Sequence, residues 1–151
     1  MSTRLRGFAL VAAAALMAAQ AVRTAPTAGA PSSPWVAPPS EKSVKNPVPA
    51  TAESLARGSQ LYAKHCLACH GETGEGNGAV ARRLGFRAGD LTETRSMGGQ
   101  TDGEIFWKIA TGRDPMPSFR KDKGLTDAQI WDLVNHVRTL ARPAPVAPAG
   151  R

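Results

Sequence analysis

Hydrophobic positions are spaced unevenly along the 151 residues, and their spacing divides the chain into distinct stretches. An apolar run from Phe8 to Ala19 follows Arg4 and Arg6 and ends at Ala19-Gln20-Ala21. A positive flank, a short apolar run and a small-x-small site mark a secretory signal, so residues 1–21 are expected to be a signal peptide that directs export. The run is shorter than the roughly 20 apolar residues of a membrane span, so anchoring in the membrane is expected only if the signal stays uncleaved. From Val22 to Ala50 large apolar residues are sparse among Pro, Ala and Ser, which predicts a flexible tether over 22–50. Trp35 reads there as a solitary exposed aromatic. Residues 142–151 repeat that composition and are expected to form a disordered tail.

Helical spacing is confined to residues 51–141. Thr51 is placed to cap a helix through Leu55, Gly58, Leu61 and Tyr62, where apolar or small residues recur three and four apart. A glycine inside a helix costs about 1 kcal/mol relative to alanine, so Gly58 predicts a close helix crossing. The glycines from Gly71 to Gly78 follow no strand and predict a tight loop rather than a phosphate cradle, with Asn77 capping a short helix that ends near Leu84-Gly85. Asp90-Leu91-Thr92 and Ser96-Met97-Gly98-Gly99 lack periodicity and read as loop. Thr101-Asp102-Gly103-Glu104 forms a capping box that opens a helix with Ile105, Phe106 and Ile109 on one side, and Gly112 stops it. Trp107 reads as core by default, or as a wall of a cofactor site. Thr126 and Gln129 form a second capping box, and Ile130, Leu133, Val134, Val137 and Leu140 give the clearest amphipathic helix of the chain. An all-α domain over 51–141 is expected, with this last helix crossing the Gly58 face of the first.

The candidate chemistry lies at Cys66-Leu67-Ala68-Cys69-His70. Two thiols three apart and a following imidazole are the pattern that attaches a c-type haem. One helical turn would bring both sulfurs to one face for thioether bonds to the porphyrin vinyl groups, and His70 is the expected iron ligand. A dithiol redox pair would open a helix after a strand, and residues 61–65 show no strand alternation. A zinc site would need two further ligands, whereas the chain has only 2 Cys, and its other histidines, His65 and His136, form no metal-spaced pair. Met116 stands between prolines in Asp114-Pro115-Met116-Pro117, which predicts an extended strap able to present a thioether to the iron. Met116 is therefore the expected sixth ligand, and Met97, His136 or an open position are the alternatives.

Charge removes one class of partner. The net +7 of the sequence invites a nucleic-acid reading, but signal, tether and tail carry +2 each and leave +1 for residues 51–141. Acidic and basic residues are interspersed there, so no nucleic-acid face is expected. Arg113, Arg120, Lys121 and Lys123 bracket the Met116 strap and would form a local positive rim.

With the haem motif, the methionine strap and the two terminal helices placed, residues 51–141 resemble a bacterial class I cytochrome c. The resemblance matches the family's glycine and aromatic four apart in the first helix to Gly58 and Tyr62, and its last-helix packing segment to Trp131 through Val137. His136 stands where an aromatic is usual, which implies a packing histidine. Family members often use a proline-linked carbonyl as acceptor for the proximal imidazole, and no proline lies between Gly71 and Asp114. The resemblance implies the small cytochrome c fold, its N- and C-terminal helices crossing around one covalent haem c. It also implies a non-enzymatic one-electron carrier of the periplasm, with Cys66 and Cys69 bound to haem and His70 and Met116 on the iron. Partners would be redox proteins, in membrane or periplasmic complexes, with no small-molecule substrate. Two other classes stay open: a gas-binding or peroxidatic haem protein whose sixth ligand dissociates, and an electron-transfer subunit of a periplasmic dehydrogenase or oxidase.

Overall fold

The computed structural model describes residues 34–141, so the expected signal, the first part of the expected tether and the tail lie outside the described residues. Among the described residues the chain forms helices α1 (Pro39–Lys42), α2 (Ala52–His65), α3 (Leu67–His70), α4 (Ala79–Arg83), α5 (Thr94–Gly98), α6 (Asp102–Thr111) and α7 (Asp127–Leu140), with no strand. The fold is all-α, as expected. No helix among the described residues is long and apolar enough to cross a membrane.

The crossing of α2 over α7 is the frame of the domain. Thr51 caps α2 by accepting from Ser54 N at 3.3 Å, and Thr126 and Gln129 close the expected capping box of α7. At the crossing, a Cβ on Gly58 would lie 2.2 Å from the Asp132 carbonyl oxygen and 2.8 Å from His136 Cβ. The helices approach that closely only because residue 58 has no side chain. A buried polar network fixes their register: Asp132 accepts from Ser54 Oγ at 2.6 Å and from Arg57 Nε at 2.7 Å, while Asn135 Nδ2 donates to Ser54 Oγ at 2.9 Å. Burial alone would raise the Asp132 pKa, but the hydrogen bonds from Arg57 and Ser54 outweigh it and hold the carboxyl below its usual range. Ile130, Leu133 and Val134 are fully buried beneath this network. Helix α6 packs on α7 with Phe106 stacked on Trp131, ring centroids 4.0 Å apart.

Several local expectations need correction. Ser96 to Gly98 belongs to helix α5 rather than to a loop, because the Glu93 carboxylate caps it, accepting from Arg95 N at 3.0 Å and Ser96 N at 2.6 Å. Asn77 does not cap α4; its amide donates to Glu75 at 3.1 Å, and Gly78 takes the cap position. Thr101 caps α6, but Glu104 does not complete the box. Its carboxylate is buried and turned to Lys108 at 3.1 Å and Lys42 at 3.7 Å, where two cations offset its desolvation. Trp107 is only half-buried and lies against Trp35 instead of in the core.

The tether expectation fails for its second half. Ala37 is 2% exposed, α1 packs on α6, Asn46 Nδ2 donates to Asn135 Oδ1 at 2.7 Å, and Val48 packs against the core. Sparse apolar content suffices here because each contact is well placed and the prolines restrict the unfolded chain, which lowers the entropy cost of ordering it.

Candidate functional site

Helix α2 hands the chain directly to the haem motif. Cys66 closes α2 by donating its N–H to Tyr62 O at 2.8 Å and is also the cap residue of α3, so His70 N reaches back to Cys66 O at 2.9 Å. Gly71, at φ 83°, ends the turn, and the buried Tyr62 hydroxyl donates to its carbonyl at 2.7 Å. Cys66, Cys69 and His70 all line one cavity of about 420 Å³, within the range of cofactor sites. Met97 and Met116 line the same cavity, with Phe119, Leu133 and Val137 among its apolar walls.

The imidazole is oriented by the main chain. His70 Nδ1 lies 3.0 Å from Gly89 O. A carbonyl only accepts, so Nδ1 carries the proton and Nε2 keeps its lone pair. Burial lowers the His70 pKa, with the Gly89 bond working in the opposite direction. Burial thus favours the neutral ring, the form able to ligate iron. The carbonyl that sequence could not name is thus that of Gly89. It is brought there by the glycine loop: Gly76 N donates to His70 O at 2.8 Å, Ala88 N to Gly76 O at 3.2 Å, and Leu91 N to Gly74 O at 2.7 Å. Gly76 has φ 74°, and a Cβ there would sit 2.1 Å from Ala88 O.

Cys66 is unsuited to thiol redox work. Burial, with a smaller contribution from Cys69, pushes the Cys66 thiol up to about 12. A dithiol catalyst needs a depressed value to form thiolate, so the electrostatics run against that reading.

Met116 sits in a turn rather than an extended strap. Arg113 N donates to Met116 O at 2.9 Å and Met116 N to Arg113 O at 2.8 Å, across a cis Asp114–Pro115 peptide. The following residues are tied to α6 by Ser118 Oγ to Ala110 O at 2.6 Å and Phe119 N to Ile109 O at 3.1 Å. Met97, expected in a loop, is 3% exposed and part of the core. His136 is not among the cavity-lining residues; its ring packs on Tyr62 with centroids 5.2 Å apart, and burial lowers its pKa. In the basic rim, Arg120 pairs with Asp127 at 2.8 Å and Arg113 lies over Trp35, while Lys121 and Lys123 are exposed.

A half-buried imidazole beside two cysteines, facing an apolar cavity that Met97 and Met116 also line, fits the donor set of a c-type cytochrome. Residues 53–137 match the family model described as cytochrome c oxidase, cbb3-type, subunit III, and the chain belongs to that family. It is also 31% identical over 91 residues to cytochrome c6 of Cyanidioschyzon merolae, over 60% of this chain and 79% of that protein. Among solved structures it resembles a chain of the Kuenenia stuttgartiensis reducing HAO-like protein complex Kustc0457/Kustc0458. There the TM-score is 0.55 at 30% identity, covering 66% of this chain and 50% of that one, so this chain spans half the length of that relative. It also resembles KustC0563 c-type cytochrome, with TM-score 0.47 and 28% identity over 56% of this chain and 98% of that one. The protein is a class I c-type cytochrome that carries covalent haem c, and its chemistry is haem-based electron transfer.

Proposed function

We propose that the domain is an exported one-electron carrier of the periplasm in which His70 and Met116 are the axial ligands. The observation that carries this reading is the convergence of Cys66, Cys69, His70 and Met116 on one largely apolar cavity. When bound, the haem supplies one electron per cycle at its iron. The chain's residues set the conditions for that transfer. The Gly89 carbonyl fixes the His70 tautomer and raises its basicity. The Met116 thioether favours the reduced state and so raises the potential. The apolar walls keep water out, and two filled axial positions leave no place for a substrate, which separates this reading from a gas-binding or peroxidatic one.

The test is the optical spectrum of the periplasmically expressed protein and two variants. The near-infrared ferric band of sulfur–iron ligation is expected in the wild type and in Met97→Ala, and is expected to vanish in Met116→Ala. Loss in Met97→Ala alone would transfer the role to Met97. A high-spin wild-type spectrum with ready carbon monoxide binding would overturn the carrier reading.

Redox proteins are the proposed partners, in the periplasm or at its membrane. A second reading, as an electron-transfer subunit held in a larger assembly, is favoured by the family description as an oxidase subunit and by similarity to a chain of a protein complex. Native-size purification from the source membrane and soluble fractions separates a free carrier from a bound subunit.

A further inference from the structure

The residues before the family match contribute to the cavity. The match begins at residue 53, yet Trp35 lines the same cavity as Met116, Lys108 and Arg113. Its ring is held on several sides. Trp107 lies at a centroid distance of 6.4 Å, the Arg113 guanidinium stands 4.9 Å over the indole, and the Lys108 ammonium 5.7 Å. Lys108 is itself fixed, donating to Gln100 Oε1 at 2.6 Å and pairing with Glu104 at 3.1 Å.

The backbone that delivers Trp35 is equally built in. Residues 37–48 form a strap whose α1 lies so close to α6 that a Cβ on Gly103 would come 2.1 Å from Glu41 O and 2.7 Å from Val44 O. Lys42 reaches the buried Glu104, and Asn46 bonds to Asn135 in the network of the α2–α7 crossing. A half-buried indole that lines the cavity stands between the cavity and solvent.

We propose that Trp35 is a positioning residue of the haem site, a wall clipped onto the domain by the strap, which excludes water from the Met116 side of the cavity and thereby holds the reduction potential up. The inference rests on the haem reading given above. Excluding water disfavours the more highly charged ferric state, and an aromatic wall slows entry of external ligands toward the iron.

Three variants of the full-length holoprotein test it, read by midpoint potential and by the rate at which imidazole binds the ferric form. Trp35→Ala is expected to lower the potential and to speed imidazole binding several-fold, and Trp35→Phe to stay close to wild type. Gly103→Ala touches no cavity residue but must displace the strap, so it is expected to reproduce Trp35→Ala. This second route keeps the inference testable should Trp35→Ala unfold. Wild-type potential and imidazole rate in either Trp35→Ala or Gly103→Ala overturn the role of Trp35. The pyridine haemochrome spectrum of the wild type reports separately. Absence of thioether-linked haem there overturns the haem reading itself, whereas haem present with unmoved potentials overturns only the wall.

Discussion

Gly58→Ala is the most direct test of the packing that frames the site. The added methyl carbon would lie 2.2 Å from Asp132 O, about 1.2 Å short of the 3.4 Å at which ordinary contact begins. Asp132 O is main chain in the middle of α7, so relief requires the two helices to separate. Overpacking of this kind costs roughly 1–3 kcal/mol. The upper end applies, because neither the carbonyl nor His136 Cβ, at 2.8 Å, can rotate away. Alanine returns about 1 kcal/mol of helix propensity. The expected net loss is about 2 kcal/mol, or roughly 8–16 °C in Tm for a domain of this size. Thermal unfolding of the ferric holoprotein by circular dichroism measures it. Gly98→Ala in α5, where a Cβ meets nothing within 4 Å, serves as the control and is expected to be neutral or slightly stabilising. Adding His136→Ala should not rescue Gly58→Ala, since alanine keeps the offending Cβ. A Tm raised by Gly58→Ala, the result of propensity acting alone, would refute the account.

Other consequences follow from the same geometry. Tyr62→Phe removes the shorter of two hydrogen bonds to the buried Gly71 carbonyl, which keeps the one from Gly74 N at 3.3 Å, and is expected to destabilise the domain by about 0.5–1.5 kcal/mol, read by denaturant titration. Gly76→Ala, strained at φ 74° and 2.1 Å from Ala88 O, should shift the loop that carries the Gly89 carbonyl and lower the yield of haem-loaded protein, measured by pyridine haemochrome per polypeptide. The His136 pKa is lowered in the fold by burial, so the unfolded chain binds the proton more readily, and stability falls as pH drops below about 6.5. His136→Phe is expected to flatten that slope in stability curves taken between mildly acidic and neutral pH. Asp132 has the other familiar sign: its depressed pKa contributes stability that is present above the unfolded carboxyl value of about 3.9 and is lost as pH falls through the lower folded value, an acid limb that Asp132→Asn should remove.

Much of this was legible in the sequence because it rests on local rules. Period and capping residues foretold α2 and α7, since Thr51, Thr126 and Gln129 act within one turn of themselves. Gly58 foretold the crossing because a glycine kept in a helix against propensity implies a close neighbour. What escaped depends on contacts distant in sequence or on atoms every residue shares. The acceptor for His70 is a main-chain oxygen 19 positions away, and no side-chain chemistry marks it. Helix α5 escaped because its cap is a glutamate and it ends on two glycines, Gly98 within it and Gly99 at its C-cap, which hid Met97 from consideration as a buried residue. The strap from Ala37 to Val48 escaped because composition measures how much apolar surface a segment has, not whether a groove awaits it. Gly103 was the available sign, a second helical glycine read only as part of a capping box.

Order of synthesis gives the α7 contacts a further meaning. Arg138 donates to Met97 O and Gln100 O, both at 2.6 Å, and to Asp102 Oδ1 at 2.8 Å, while Leu133 and Val137 complete the cavity wall. Every one of those partners leaves the ribosome before α7 does. Until the last helix arrives, α2 has nothing to cross, the turn between α5 and α6 has no clasp, and the stretch around Cys66 and Cys69 lies open. A chain cut short before Asp127 would therefore lack both that clasp and part of the cavity wall beside Cys66 and Cys69.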